Sequence, residues 1–165
     1  MSNQSPGMLI PALIAGSVFG FVSAIPILNM LNCLCCSLII GAGFVAAFLY
    51  SRACGTAGVA FTAGTGAMVG LLAGLFYALS ASFFGAIASV ALGMGDIEQV
   101  VEQLRQVPNM DPQLLERISD FVESAGMALI LLIAVVVNLV FGAIFATVGG
   151  LIGGALFKKE ARAAF

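Results

Sequence analysis

The sequence predicts an all-α fold: a four-transmembrane-helix bundle with an extracytoplasmic amphipathic helical hairpin between helices 3 and 4. Three observations carry that prediction. The chain of 165 residues is 61% hydrophobic and only 8% charged, against roughly 25% charged in soluble domains, so a bilayer has to act as solvent for most of it. Every formal charge falls at Arg52, within Asp96–Glu123, or in the tail Lys158–Arg162. The four apolar stretches left between these places carry no charge from end to end, and each meets or approaches the ~20 residues needed to cross the hydrocarbon core. Backbone groups in lipid must be satisfied within the segment, which makes the stretches helices. The length suits one integral membrane domain covering residues 1–165.

The first stretch covers residues 8–31. It follows the segment MSNQSPGM, which has no Lys or Arg, whereas a cleaved signal peptide has a positive start; a retained span is expected. The second stretch covers residues 33–50. The link around Asn29–Asn32 is short enough for a tight helical hairpin, with Pro26 as a kink or stop near its top and Asn29 and Asn32 as caps. The link Ser51–Gly58 carries Arg52. The third stretch covers residues 59–92 and the fourth residues 127–157. Both exceed the minimum length, which calls for tilt or for ends that reach the interface.

Between them lies the polar insertion, residues 94–126. Ile97, Val100, Val101, Leu104 and Val107 recur at helical spacing, as do Leu114, Leu115, Ile118, Phe121, Val122 and Ala125. Asp96 with Gln99 resembles a capping box, and Asp111-Pro112 opens the second run as N-cap and N1 proline. The pattern is an amphipathic hairpin whose apolar face suits a membrane surface, the ends of the spans or a partner protein. Its second helix is expected to run into the fourth span, with a bend at Gly126.

Orientation follows from cations. Lys and Arg favour the cytoplasmic side of short loops, and Arg52, Lys158, Lys159 and Arg162 place both termini and the second link inside and the insertion outside. The expected location is a prokaryotic inner membrane, multi-pass. There is no basic stripe that would fit nucleic acid.

Every stretch carries small residues four apart: Ala12, Gly16, Gly20 and Ala24; Gly43 and Ala47; Gly66, Gly70 and Gly74; Gly142, Ala146, Gly150 and Gly154. Such faces let helix backbones approach closely where lipid supplies no hydrophobic drive. They serve a dimer interface, a substrate groove or packing within one bundle, and four such faces favour the last. Gly16, Gly20 and Ala24 also align with Gly70, Gly74 and Ala78 at one offset, as a duplicated hairpin would. Asn138, in the middle of the fourth stretch, needs a hydrogen-bond partner, and Thr62, Thr65, Tyr77, Ser80 and Ser82 are the candidates.

Chemistry is sparse. The chain has no histidine, so no triad or Cys-His pair is available. No charged residue lies within a stretch to couple protons, and no residue set calls for a cofactor or metal. Cys33-Leu34-Cys35-Cys36 contains a C-x-x-C at the start of a helix, where the dipole favours a thiolate. Cys33 and Cys36 are therefore candidates for a redox pair or a disulfide, against the plainer role of small packing residues. The expected function is a non-enzymatic structural, assembly or interaction protein. Its partner would be a second copy or another membrane protein engaged through the insertion. The alternatives are a thiol–disulfide oxidoreductase using Cys33 and Cys36, and a passive channel or small-solute transporter.

Two resemblances bear on this. The C-x-x-C near the start of the second stretch, the four stretches and the outer loop are similar to the quinone-linked thiol oxidases that recharge periplasmic disulfide donors. That likeness implies redox chemistry at Cys33 and Cys36. The chain departs from that pattern in having no Cys after Cys54 and no Arg before Arg52. Ile25-Pro26-Ile27-Leu28-Asn29, Asn32–Cys36, Gly41-Ala42-Gly43, Tyr50-Ser51-Arg52 and the run Gly66–Gly74 resemble a family of small prokaryotic four-span membrane proteins. The likeness covers about the first half of the chain, and the family has no assigned activity to carry over.

Overall fold

The computed structural model describes residues 6–23, 25, 37–91 and 111–158. All regular secondary structure among them is helical: α1 (Leu9–Ser23), α2 (Ser37–Ala57), α3 (Ala63–Ala91) and α4 (Pro112–Leu156). Three stretches are long and apolar enough to cross a membrane: Ser37–Ala57, Ala63–Ala88 and Leu131–Leu156. The remaining apolar helix, α1, is described over 15 residues, about 22 Å at 1.5 Å per residue, short of the ~30 Å hydrocarbon core. Its last residue, Ser23, donates its hydroxyl to Gly20 O at 2.7 Å. The expected hairpin link with Pro26, Asn29, Asn32 and Cys33–Cys36 lies outside the described residues, as do Ala24 and the first amphipathic run from Ile97 to Val107.

Helix α2 runs seven residues past Tyr50, the expected end of the second stretch, through Arg52 and Cys54 to Ala57. Small residues and an outward-pointing arginine continue a helix as readily as they make a loop. The actual stop is Gly58, at φ +68°, followed by Val59 N–H donating to Cys54 O at 3.0 Å. A left-handed glycine with this 6→1 bond is a Schellman C-cap. Four residues later Thr62 opens α3: its Oγ1 accepts from Thr65 N at 3.3 Å, satisfying a first-turn donor.

Helix α4 is 45 residues long, about 67 Å, more than twice the hydrocarbon thickness. Asp111 caps it, with Oδ1 accepting from Gln113 N at 2.9 Å and Pro112 in the first turn. The second amphipathic run and the fourth apolar stretch are thus one helix, uninterrupted through Gly126. At the far end Phe157 N–H closes on Gly153 O at 2.9 Å.

Helices α2 and α3 each touch all the others, whereas α1 and α4 do not meet. Glycine neighbours give the directions. Gly16 faces Phe76 and Tyr77, and Gly20 faces Tyr77 and Ser80, so α1 and α3 are parallel. Gly66 faces Gly154, Gly70 faces Gly150 and Gly74 faces Gly142, so α3 and α4 are antiparallel. Gly149 meets Ile40 and Gly153 meets Phe44 and Ala47, so α2 and α4 are parallel. A duplicated hairpin related by a twofold would match the α2–α3 contact with an α1–α4 contact. The described helices have the first and not the second, so they do not pack with that symmetry.

The core falls in two clusters, one of Ile39, Ala42, Tyr77 and Ala146 and a larger one toward one end. Ala12, Ala15, Ala46, Ala47, Tyr50, Cys54, Phe61, Val69 and Ala73 form a buried cluster, against which Met8 and Phe157 pack. Met8, the turn at Gly58 and Phe157 therefore share an end of the molecule, and the Asp111 end of α4 is opposite.

Candidate functional site

The described features that set this chain apart are a seam where helix backbones touch and a helix half whose described side chains are almost all exposed. Gly16, Gly20, Gly66, Gly70, Gly74, Gly142, Gly150 and Gly154 are all buried, each with its missing side chain pointing at a neighbouring helix of the same chain. A Cβ built on Gly74 would lie 2.6 Å from the carbonyl carbon of Gly142. One on Gly70 would lie 2.8 Å from Gly150 Cα, and one on Gly66 2.7 Å from Gly154 Cα. These are backbone atoms, which cannot rotate aside as a side-chain tip can. Gly66 sits against Gly150 and Gly154, Gly70 against Ala146 and Gly150, and Gly74 against Gly142 and Ala146, so each four-residue step up α3 meets a four-residue step down α4.

Sequence spacing alone passes over Gly149 and Gly153, which pack on α2 through Ile40 O and through Ala47 Cβ at 2.8 Å. The signal for them was present. Gly149-Gly150 and Gly153-Gly154 are doublets four apart, and neighbours in a helix point ~100° apart. One member of each doublet serves α2 and the other serves α3, so α4 presents two small faces. Gly43 joins the same junction: a Cβ built on it would lie 2.7 Å from the carbonyl carbon of Ala146.

At the end that carries Met8 and Phe157, aromatic rings take over from glycine. Phe157 packs on Phe44 and Phe48 with centroids 5.3 and 5.1 Å apart. The exposed Arg52 guanidinium lies 5.0 Å from the Phe48 ring centroid, a cation–π contact that turns the charge outward from an apolar helix. Inside, Tyr50 and Cys54, one turn apart on α2, share a side-chain hydrogen bond, and Phe61 packs on Tyr50 at 5.9 Å. Both Tyr50 and Cys54 are buried.

The opposite half differs. On α2 buried residues recur from Ile39 to Cys54, whereas between Leu131 and Leu156 of α4 they begin only at Gly142. From Leu129 to Phe141 the described α4 side chains are exposed on every side apart from Val135 and Leu139, which are half-buried. Leu132 is 61% exposed and Val136 51%. Asn138 lies in this region. Of its five candidate partners it meets Ser82, with Nδ2 donating to Oγ at 3.5 Å in an exposed position. Thr62 and Thr65 bond each other at 3.0 Å, and Tyr77 and Ser80 face Gly20. On α3 at this end a shallow apolar groove of about 470 Å³ is lined by Phe83, Ala86, Ile87 and Ala91.

Cys33 and Cys36 lie outside the described residues, so the geometry of the C-x-x-C has no part in this site. Among the described residues no group of three His, Cys, Asp or Glu side chains is placed to hold a metal ion. Comparison with protein-family models, with curated proteins and with solved structures finds no match to this chain.

Proposed function

We propose that the protein is a non-enzymatic, multi-pass membrane protein whose work is helix–helix interaction. In this reading it is a four-span bundle of the prokaryotic inner membrane, with α1 completed as a span by residues that follow Ser23. Both termini and Arg52 face the cytoplasm. The part of α4 between Asp111 and the bilayer, together with the insertion before it, stands outside as the partner-binding element. The observation that carries the reading is α4 itself. A single helix about 67 Å long is clamped by backbone contacts over one half, and over the other its described side chains are almost all exposed. A catalytic scaffold would converge polar groups on a cavity; here the polar groups are sparse, and the helix reaches outward.

Backbone contact along α3–α4 and α2–α4 leaves no lumen between those helices, which supports an interaction role over a passive channel. Flux through reconstituted liposomes is expected to equal that of empty vesicles. The principal test is deletion of Asp96–Glu123. Resistance to alkaline extraction from the membrane should be kept, and co-purification with the native membrane partner should be lost. A deletion variant that still co-purifies with the same partner would sink the reading.

A further inference from the structure

Asn138 stands about 16 Å along α4 from Met127, where the uncharged fourth stretch begins. Its amide offers two N–H donors and a carbonyl acceptor. Among the described residues it has one contact, at 3.5 Å to Ser82 Oγ, the outer limit of a hydrogen bond, and the residue is exposed. Lipid tails supply neither donor nor acceptor, so an open amide at this depth is costly. A membrane helix carrying one polar side chain in an uncharged stretch meets that cost by pairing with another helix.

We infer that the helix is the α4 of a second copy of this chain, in a parallel twofold dimer in which the two Asn138 amides exchange hydrogen bonds. The inference rests on the membrane-spanning reading proposed above. Three observations choose this occupant. The amide is self-complementary, each donating to the other's carbonyl, and a twofold axis can set a residue against its own copy. Ala134, Phe141 and Phe145 stand at −4, +3 and +7 from Asn138, on the same helical face. The small Ala134 permits close approach, and the exposed Phe141 ring forms a flat wall beside it, held by stacking at 5.9 Å on Phe145, which itself packs inward on the cluster of Ile39, Ala42, Tyr77 and Ala146. Finally, α4 is open at this level: from Gly142 downward α2 and α3 occupy the face, while Ala134, Asn138 and Phe141 are exposed. The apolar stretch holds no charge to repel its copy.

The test is single-molecule photobleaching of the full chain in phosphatidylethanolamine–phosphatidylglycerol vesicles over a dilution series in lipid. The wild type is expected to dimerise. Asn138→Leu should weaken association by roughly 10-fold or more, since one interhelical hydrogen bond in a membrane is worth about 3- to 30-fold, and Asn138→Gln should keep it. A wild type monomeric at every density, or Asn138→Leu dimers as stable as wild type, overturns the inference. Ala134→Cys in a background lacking the four native cysteines guards against a folding defect in Asn138→Leu. It should cross-link between copies under mild oxidation, whereas Val136→Cys, on the other side of the helix, should not; equal cross-linking, or none at Ala134, also overturns it. Alkaline extraction of the same vesicles separates the two failures. Protein that stays in the membrane as a monomer refutes the dimer alone, and protein released to the supernatant refutes the membrane reading beneath it.

Discussion

At Gly74 a single methyl group has nowhere to go. Its Cβ would fall 2.6 Å from the Gly142 carbonyl carbon and 2.9 Å from Ala146 Cβ, so α3 and α4 would have to part along their length. Overpacking of a tight interior costs about 1–3 kcal/mol and sometimes more. We expect Gly74→Val to cost at least about 3 kcal/mol, read by unfolding equilibrium in mixed micelles. Gly85→Ala is the control. No atom lies within 4 Å of a Cβ there, and exchanging a mid-helix glycine for alanine should stabilise by up to about 1 kcal/mol. Equal effects at the two positions would refute the seam. Gly58→Ala should cost about 1–2 kcal/mol, because φ +68° puts a Cβ against its own carbonyl. The small-residue spacing made the seam glycines legible in the sequence, though which neighbour each glycine meets was not, since spacing fixes a face and not its partner. Asn138 was legible as a polar residue in need of a partner, and Ser82 was among the candidates. For Cys33, Cys35 and Cys36 the non-enzymatic proposal predicts thiols that show no reductant-sensitive mass shift with maleimide in cells; a bond that cycles would favour the oxidoreductase instead.

At the scale of elements, α4 stands out. Its cap at Asp111 holds a first-turn amide, and Asp111→Ala should cost about 1 kcal/mol. Because the described side chains at that end of the helix are exposed, the loss should stay local. Hydrogen exchange should quicken over the first turns after Pro112 and remain unchanged around Gly142–Gly154; a uniform change along the helix would contradict this. The N-cap and proline that open α4 are a local signal, and local signals survive translation into structure. The end of α2 did not. Ser51, Arg52 and Gly55 have the composition of a loop, yet Arg52 leans on Phe48 and Ser51 Oγ donates to Phe48 O at 2.8 Å, so the helix continues until Gly58 turns the chain. A C-cap is decided by one residue's dihedral, which hydropathy averages away.

For the whole molecule, hydropathy was enough to give an all-helical chain with membrane-length helices, because uncharged runs of that length have few other solutions. It was not enough to give their arrangement. An alignment of glycines suggested a duplicated hairpin, but α1 and α4 are kept apart while α2 and α3 meet. The reason is that glycine faces are generic: the same spacing lets α1 meet a parallel neighbour and α3 an antiparallel one. Orientation is a prediction at this scale. In the background without native cysteines, Ser124→Cys should react with an impermeant maleimide added to intact cells, and Thr56→Cys should react only after the membrane is opened. Both residues are exposed, so the reverse pattern would invert the topology.

The seam has a mechanical consequence. Where carbonyls and Cα atoms of facing helices touch without side chains between them, neither helix can slide by a residue, because each ridge would ride over the next. The half of α4 from Gly142 to Gly154 is therefore locked in place, while the described side chains nearer Asp111 are exposed. The register of α4 against α2 and α3 is therefore set at Gly142–Gly154, far along the helix from its cap at Asp111.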